Sequence, residues 1–494
     1  MAIRKVCGIE TEYGISVRGA DSNPVAASSV LINAYIATLD RRTVWDFEDE
    51  SPGVDARGFA VEGALPPEVE THLVNTVLTN GARYYVDHAH PEVSTPECVD
   101  AKEVVVFDRA SEEVLKRSMV AARSLLPDGA EIVVYKNNSD GKGNSYGCHE
   151  NYLLAREVPF GRLVSQITPH FVTRQVFCGA GKVGSESPGV PSSEVPFQIS
   201  QRADFFEEEV GLETTLKRPI VNTRDEPHCD GQRYRRFHVI VGDANRSEVA
   251  TFLKVGTTAI VLSMIEDDQL PIDLALSNPV GAIRQVSHDP ALARTVLLKS
   301  GRRLSALDVQ WQLLEQARKY EREQGLESVG EEVGAEVLRR WEEVLTGLES
   351  DLASVAGVVD WVAKLRVFDA YRERHGLEWG DARLRAMDIQ YHDLRDDRSL
   401  FDRLGLERLC THEEVQRAVT EPPTTTRAYF RGRCLQKWPN DIVAANWDSM
   451  VFDVGRDPLR RVPMMEPLRG TAAHVARLID ESTSAADLLE RLGA

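Results

Sequence analysis

The chain has 494 residues, of which 27% are charged and 42% hydrophobic, and its formal net charge is −19. This is an ordinary globular composition, long enough for about three domains or for one large domain and a small one. Because the surface is this acidic, long-range attraction to nucleic acids or anionic membranes is disfavoured, and we expect neither as a partner.

The seven cysteines are scattered and never form a CxxC pair. We therefore expect reduced thiols in a cytoplasm rather than disulfides or a zinc site. Two glutamates come before any apolar run that could form a signal peptide, and no run of 18 or more apolar residues occurs. We expect neither a signal peptide nor a membrane span.

The first third of the chain is predicted to form strands joined by loops. The segments KVCGIETEYGISV, GARYYVDHA, AEIVVYKNN and CHENYLLAR are short, often alternate, and are bounded by Gly, Pro, Asn or Asp. Residues 31–40 have helical spacing. An insertion at about 45–75 is rich in acid, Gly and Pro, which predicts a mobile loop.

Later segments change in pattern. RRFHVIVGDAN reads as another strand, whereas residues 305–375 have apolar side chains at i, i+3, i+4 spacing and predict helices packed on the sheet. The adjacent prolines of EPPTTTRAYFRG mark a boundary, followed by a strand at SMVFDV and a helix at AADLLERL. We expect an α+β fold, with a large domain over 1–424 and a small one over 425–494.

Residues two apart on a strand point to the same face. On this basis Glu10 and Glu12 share one face of the first strand, and Arg83, Tyr85 and Asp87 share one face of another. A single strand of this kind is most often an exposed sheet face. Adjacent carboxylates, however, repel one another unless a cation or an arginine lies between them.

Two further strands repeat the arrangement, with His149 and Asn151 two apart on one and Arg236 and His238 two apart on the other. A lone histidine on a strand is more often structural than a ligand. Its repetition over several strands favours a polar sheet face that holds a metal ion and a nucleotide. Magnesium prefers oxygen ligands, which are supplied here by Glu10, Glu12, Glu92 and Glu97.

Familiar catalytic motifs are missing from the sequence. It contains no GxxxxGK[ST] loop, no GxGxxG after a strand and no GxSxG elbow. The glycines of SDGKGNSYG are read as a loop. Asp87 is the best candidate for a base or nucleophile, because Arg83 and a metal ion would keep it ionised.

Six motifs in order resemble the Pup ligase/deamidase family of actinobacteria: GIETEYGI, NGARYYVDHAHPE, KNNSDGKGNSYGCHENYL, NTRDEPH, YRRFHVIVGDAN and PPTTTRAYFRG. The resemblance covers residue 4 to about residue 480. It implies the fold of glutamine synthetase and the γ-glutamyl-cysteine ligases, with a mainly antiparallel sheet packed against helices. It also implies magnesium and ATP as cofactors.

Three features resemble the deamidase branch of that family rather than the ligase branch. VDHAHPE is one residue shorter than the ligase-type segment, LETTLKRPIVNTRDEPH matches the deamidase stretch, and the insertion at 45–75 is absent from ligases. Val93 departs from the usual tyrosine. The resemblance implies deamidation of the C-terminal glutamine of Pup and hydrolysis of Pup–lysine isopeptide bonds, with nucleotide as a cofactor that is not consumed at each turnover.

The resemblance also implies roles for single residues. Asp87 matches the family's catalytic aspartate, acting as nucleophile or as general base. The other assignments are magnesium to Glu10, Tyr85, Glu92, His149 and His238; ATP to Glu12, Arg83, Thr95, Asn151, Arg236 and Trp447; and Pup to Arg202 and Arg224.

Pup is an acidic and largely disordered partner, so we expect a local basic groove lined by Arg202, Lys217, Arg218 and Arg224. The nearest alternative is a Pup–protein ligase that acts through a glutamyl phosphate. A small-molecule glutamate–amine ligase and a Pup-binding protein without chemistry are more distant alternatives.

Overall fold

The computed structural model describes residues 1–20, 23–39, 42–48, 50–60, 74–191 and 193–493. Its central feature is a ten-stranded sheet in which every neighbouring pair is antiparallel except one. From edge to edge its strands are Tyr234–Val239 (β15), Cys148–Ala155 (β10), Cys7–Glu12 (β1), His90–Ser94 (β8), Arg83–Asp87 (β7), Asn75–Val77 (β6), Thr43–Trp45 (β3), Ile442–Ala445 (β18), Ser449–Phe452 (β19) and Arg460–Pro463 (β20).

Five two-stranded ribbons surround this sheet. They pair Gly14–Arg18 (β2) with Glu131–Tyr135 (β9), Val54–Asp55 (β4) with Phe59–Ala60 (β5), Lys182–Val183 (β11) with Phe197–Gln198 (β12), Phe206–Gly211 (β13) with Arg218–Asn222 (β14), and Thr295–Leu297 (β16) with Arg303–Ser305 (β17). Among these ribbon strands, β2 and β9 confirm the strands predicted in KVCGIETEYGISV and AEIVVYKNN, whereas the other ribbons were not predicted.

Helices cover one face of the sheet. The described α-helices are Pro24–Ile36 (α1), Ala101–Ala122 (α2), Phe160–Thr173 (α3), Gln175–Cys178 (α4), Glu248–Glu266 (α5), Pro279–Ser287 (α6), Ala306–Gln324 (α7), Glu331–Ser350 (α8), Asp360–His375 (α9), Ala382–Tyr391 (α10), Leu400–Leu404 (α11), His412–Ala418 (α12), Ala428–Lys437 (α13), Ala472–Glu481 (α14) and Ala485–Leu492 (α15). The α+β prediction is confirmed.

The strand alternation decides which face the helices cover. Along β1 the side chains of Cys7, Ile9 and Thr11 are buried, while Glu10 and Glu12 are half-buried on the other face. Helices α2 and α5 pack against the apolar face. Among the described residues, no helix covers the polar face in this part of the sheet, which leaves that face open as a binding surface requires.

Helix α5 lies in the middle of the helical layer. By length and composition it is the one helix of the described ranges that could cross a membrane, but its apolar window is entirely buried inside the fold. Helices α7 and α8 pack on α5 and form a second helical layer. Their amphipathic pattern was predicted correctly, although they cover α5 rather than lying directly on the sheet.

The C-terminal part of the chain extends the large sheet. Strand β18 pairs in parallel with β3, so β18, β19 and β20 continue the sheet of the N-terminal part. A second apolar cluster lies beneath them, in which Trp45 packs with Trp438 and Phe452. The strand predicted at SMVFDV and the helix predicted at AADLLERL are confirmed as β19 and α15.

One local prediction needs correction. The helix predicted over 31–40 is Pro24–Ile36, because Asn23 caps its start and accepts a hydrogen bond from the backbone N–H of Ala26. The mobility of the insertion at 45–75 stays a prediction; within it, Val54 of β4 accepts a hydrogen bond from the backbone N–H of Asp225 at 2.9 Å. Residues 61–73 of that insertion lie outside the described residues.

Candidate active site

The register of the central strands brings the predicted polar residues into rows. Glu10 of β1 lies opposite His149 of β10 on one side and opposite Ser94 of β8 on the other. Glu12 lies opposite Glu92, which in turn lies opposite Tyr85 of β7. Because cross-strand neighbours on one face approach within about 5 Å, two clusters of possible ligands form on the open face.

The first cluster consists of Glu10, His149 and His238, whose ligand atoms lie within 4.8 Å of one another. The carboxylate of Glu10 is 3.6 Å from Nδ1 of His149 and 3.7 Å from Nε2 of His238. Asn151 donates to Glu10 Oε1 at 2.8 Å. Burial alone would raise the pKa of Glu10, but His149 and the positive charge of Arg236 lower it well below its ordinary value.

The orientation of His238 is set by Asn222. The side-chain amide of Asn222 donates to the carbonyls of Leu212 and Glu213, so its oxygen faces His238 Nδ1 at 3.2 Å. The proton therefore sits on Nδ1, and the lone pair of Nε2 points towards Glu10. Nε2 is buried and has no hydrogen-bond partner among the described residues, which fits a metal ligand.

The second cluster consists of Glu12, Asp87 and Glu92, also within 4.8 Å of one another. Burial, and then the charges of Asp87 and Glu12, raise the pKa of Glu92 well above its ordinary value. Three carboxylates held this closely repel one another, and a divalent cation would relieve the repulsion. An all-oxygen set of this kind is what magnesium prefers.

Glycine at position 147 makes room for this arrangement. A Cβ there would lie 2.3 Å from His149 Nε2 and 2.8 Å from Glu12 Oε1, so a side chain would displace both. The backbone N–H of Gly147 also donates to Glu12 Oε1 at 2.8 Å. Position 147 therefore holds Glu12 through its backbone while leaving the space between the two clusters open.

Asp87 ends strand β7 at a tight turn. Its neighbour His88 has a left-handed φ of 52°, which is uncommon for a residue other than glycine. Nδ1 of His88 lies 3.0 Å from Asp87 Oδ1. Burial by itself would raise the pKa of Asp87, but the contacts with His88, Glu92 and His149 lower it below its ordinary value, so the carboxylate is ionised at neutral pH.

An inner cavity, partly open to solvent, lies beside the first cluster and holds about 590 Å³ of space including that open part. Its lining includes four of the residues predicted to contact ATP: Thr95, Asn151, Arg236 and Trp447. Apolar walls come from Val6 and Leu153, among others. A pocket with an apolar wall and a few charged groups suits a nucleotide base and its phosphates.

An outer cleft of about 1170 Å³, open to solvent, adjoins the inner cavity. Five residues line both spaces: Glu10, Ser94, His228, Arg236 and Trp447. Asp87, Glu92 and Arg224 line only the cleft. The two spaces therefore meet over Glu10, with the catalytic candidate on the cleft side and the predicted nucleotide contacts on the cavity side.

Arg83 lies in the cleft rather than in the inner cavity. Its guanidinium lies 4.0 Å from the ring centres of both Trp45 and Tyr85, and Nε donates to Asn75 at 3.1 Å. Glu50 lies 3.7 Å away. Stacking between two rings holds Arg83 in place and leaves some of its guanidinium N–H donors available to an anion.

Two predicted assignments need comment. Glu12 was predicted both as a magnesium carboxylate and as a nucleotide contact; it lies in the carboxylate cluster and lines neither space, and its contact with a nucleotide stays a prediction. Glu97, predicted as a magnesium carboxylate, is paired with Arg427 and Arg431, which together hold its pKa at about 2 although burial alone would raise it. Its charge is already neutralised by two arginines.

The predicted basic groove is only partly assembled. Arg224 lines the outer cleft. Arg202 is 1% exposed and donates to the carbonyls of Ile240 and Gly242. Arg218 donates to the carbonyl of Ser145 at 2.8 Å, and Lys217 is exposed outside both spaces.

The cleft residues that sequence reasoning missed include Glu50, Glu226 and His228. Glu226 and His228 both belong to the NTRDEPH motif, so their place in that motif was the available signal. His228 has a left-handed φ of 48°, and burial together with Arg236 lowers its pKa well below the ordinary value. It is therefore a neutral imidazole at the junction of the two spaces.

Comparison with known proteins identifies the family. A family model described as Pup-ligase protein matches residues 5–451. The chain belongs to the Pup-ligase family. The Depupylase of Acidothermus cellulolyticus is 52% identical, with 99% of each chain covered. The Pup deamidase/depupylase of Mycobacterium tuberculosis is 47% identical, with 100% of this chain and 99% of that protein covered.

Ligases of the Pup-ligase family are also similar. The Pup–protein ligase of Acidimicrobium ferrooxidans is 44% identical over 82% of this chain and 89% of its own length. A solved complex of the prokaryotic ubiquitin-like protein Pup with its ligase PafA matches with a TM-score of 0.81 and 33% identity, covering 99% of this chain and 94% of that chain. The family fold is therefore shared by both branches, and the two full-length relatives above carry hydrolase names.

Proposed function

We propose that this protein hydrolyses the side-chain amide of a C-terminal glutamine on the modifier protein Pup, and the isopeptide bond that joins Pup to a lysine. The observation that carries the proposal is Asp87, ionised at the end of β7 and facing a cleft that meets the inner cavity. Full-length similarity to a depupylase and a Pup deamidase/depupylase supports it.

The residues present fit magnesium and ATP. Glu12 and Glu92 would hold a metal ion beside Asp87, and Glu10 with His149 and His238 would hold another. The nucleotide would lie against Thr95, Asn151, Arg236 and Trp447, with Arg83 facing it from the cleft. When bound, metal ions and phosphates supply fixed charges that polarise the substrate carbonyl.

Asp87 can begin the reaction in two ways. Its carboxylate oxygen can attack the side-chain carbonyl carbon; the C–N bond then breaks, ammonia or the lysine amine leaves with a proton taken from a water molecule, and the hydroxide so formed opens the anhydride and restores Asp87. Alternatively Asp87 takes a proton from a water molecule that attacks the same carbon, and returns that proton to the nitrogen as the C–N bond breaks. Both routes need the ionised carboxylate that the lowered pKa of Asp87 provides.

The substrate carries negative charge into an acidic protein. Arg224 lines the cleft, and its buried Nε has no hydrogen-bond partner within the described ranges. We assign it to a carboxylate of the Pup C-terminus, because the guanidinium fork binds carboxylates in a bidentate way. Arg202 retains a supporting role in our proposal, since it holds the backbone beside Gly242.

Two further features of the proposal concern the whole chain. We place a small C-terminal domain at 425–494, supported by its own apolar cluster, although its strands continue the large sheet. We also place the enzyme in the cytoplasm, since all seven cysteines are free and buried.

The second candidate function is ligation of Pup to lysine, favoured by the shared fold of the PafA complex. One experiment separates the two. The protein is incubated with Mg-ATP and Pup ending in glutamine or glutamate, with and without an acceptor lysine protein. Hydrolysis predicts ammonia and conversion of glutamine to glutamate in the mass spectrum. Conjugation of Pup-glutamate to lysine with formation of ADP would instead favour the ligase.

A further inference from the structure

Glu97 connects the nucleotide cavity to the C-terminal part of the chain. It lies two residues after Thr95, just beyond the end of β8. Its carboxylate accepts hydrogen bonds from Arg427 at 2.7 Å and from Arg431 at 3.2 Å. Its backbone carbonyl accepts from Thr426 at 2.7 Å. Arg427 and Arg431 are almost fully buried. Because a buried charge that loses its partner is strongly destabilising, Glu97 and these two arginines must keep their relative positions.

Arg431 continues this connection to Trp447. Its Nη1 donates to the backbone carbonyl of Trp447 at 3.1 Å, and its guanidinium lies 5.1 Å from the indole centre. The other arm donates to the carbonyl of Gly81 at 3.0 Å. The indole also packs against Trp45 in a T-shaped arrangement, with ring centres 5.2 Å apart. The position of Trp447 at the cavity wall is therefore set by a guanidinium whose own position is set by Glu97.

We propose that Glu97 is a positioning residue for nucleotide binding, which acts through Arg431 to hold Trp447 against the inner cavity. The inference rests on the proposed function, because it takes the inner cavity as the nucleotide site. It gives Glu97 a role opposite to that of a direct contact. A carboxylate lining a cavity that receives a polyanion repels it, so a direct effect of removing the charge would be tighter binding.

Positioning predicts the reverse sign. Glu97→Gln keeps the size and one acceptor oxygen but loses the negative charge that pairs with both arginines and the second acceptor oxygen. Arg431 is then free to leave Trp447. We expect the Kd for ATP to rise about tenfold, which corresponds to about 1.4 kcal/mol. At saturating ATP the rate of Pup deamidation should return to within about twofold of the wild-type rate, because the chemistry lies on the other side of Glu10.

Glu103 offers a matched control. It also joins the body of the protein to the C-terminal part, since it accepts from Thr425 Oγ1 at 3.0 Å, and it also accepts from the N–H of Val99 at 2.9 Å. It does not line the cavity or touch Arg431 or Trp447. Glu103→Gln should leave the Kd for ATP unchanged, even if thermal stability shifts by as much as in Glu97→Gln.

The test is isothermal titration of ATP, with magnesium present, into the full-length wild type, Glu97→Gln and Glu103→Gln, with the same Glu97 change repeated in a Trp447→Ala background. We expect weaker binding for Glu97→Gln alone and no further weakening where Trp447 is already absent. Should Glu97→Gln fail to fold, Arg431→Lys keeps the charge but cannot reach Glu97, Gly81 and Trp447 together, and the same pattern is expected.

Equal or tighter ATP binding by Glu97→Gln or by Arg431→Lys would overturn the inference. A loss of the same size in the Trp447→Ala background would also overturn it, because Glu97 would then act by another route. If the wild type itself bound no ATP, the proposed nucleotide site would fail first. The two failures are therefore distinguishable.

Discussion

The hydrogen bond between Asn222 and His238 is expected to control metal affinity. Asn222→Ala removes the acceptor that keeps the proton of His238 on Nδ1, at 3.2 Å. The imidazole can then place its proton on Nε2, where it would point at Glu10 Oε2, 3.7 Å away, instead of offering a lone pair. A donor cannot serve as a ligand, so part of the population loses one member of the first cluster.

The expected magnitude follows from this loss. Removing an outer-shell partner of a metal-bound histidine typically costs about 10- to 100-fold in affinity. We therefore expect the magnesium concentration for half-maximal deamidation of Pup-glutamine to rise by about that factor. The maximal rate at saturating magnesium should fall much less, because Asp87 and the outer cleft are not altered.

Asn245→Ala provides the control. Asn245 is equally buried and donates to the carbonyl of Cys178 at 2.9 Å and to Asp360 at 3.0 Å, without touching a site residue. Both variants should lose stability by about 1–3 kcal/mol from unpaired buried groups. A magnesium midpoint for Asn222→Ala that matches that of Asn245→Ala would refute the reasoning, since both would then act only through stability.

Three further predictions concern other residues. Asp87→Ala should leave the Kd for ATP unchanged and lower the deamidation rate by about 10²–10⁴-fold if Asp87 is a general base, or by roughly a millionfold if it is the nucleophile. An unchanged deamidation rate would remove Asp87 from catalysis. Arg224→Ala should raise the KM for Pup about tenfold through loss of a bidentate contact, whereas Lys217→Ala should not, and equal effects would argue against the assignment. Burial raises the pKa of Glu103 to about 7. The stability that its protonated form provides is therefore present below its unfolded pKa and is lost as the pH rises to about 7. Glu103→Gln should flatten the fall in melting temperature between about pH 5 and pH 7, and an unchanged slope would contradict this.

The faces of single strands could be predicted from the sequence, because alternation is a local property. Glu10 and Glu12 share the open face of β1, and Arg83, Tyr85 and Asp87 are all half-buried on one face of β7, as predicted. The same local argument separates these residues from the buried side chains between them.

The pairing between strands could not be predicted in this way. Glu12 faces Glu92 only because β8 lies between β1 and β7, and a one-residue slip in register would separate them. The alternation therefore placed Glu12 among the possible magnesium carboxylates without showing that Asp87 and Glu92 would be its neighbours. Glu97 was misassigned for the same reason, since its partners Arg427 and Arg431 lie more than 300 residues further along the chain.

Long-range contacts also explain the cleft residues that were missed. His228 reaches the junction of the two spaces through a left-handed turn, which its own side chain does not signal. The parallel joint between β3 and β18 is equally invisible in the local pattern, yet it brings Trp447 to the inner cavity beside Trp45.

The central claim is that Asp87 and its surroundings hydrolyse a glutamine side-chain amide on Pup. The most direct measurement is ammonia release together with the intact mass of Pup ending in glutamine, with Mg-ATP, for the wild type and for Asp87→Ala. Our account predicts stoichiometric ammonia and conversion to glutamate for the wild type alone. Pup left as glutamine by the wild type, while Pup-glutamate becomes joined to lysine with formation of ADP, would contradict it.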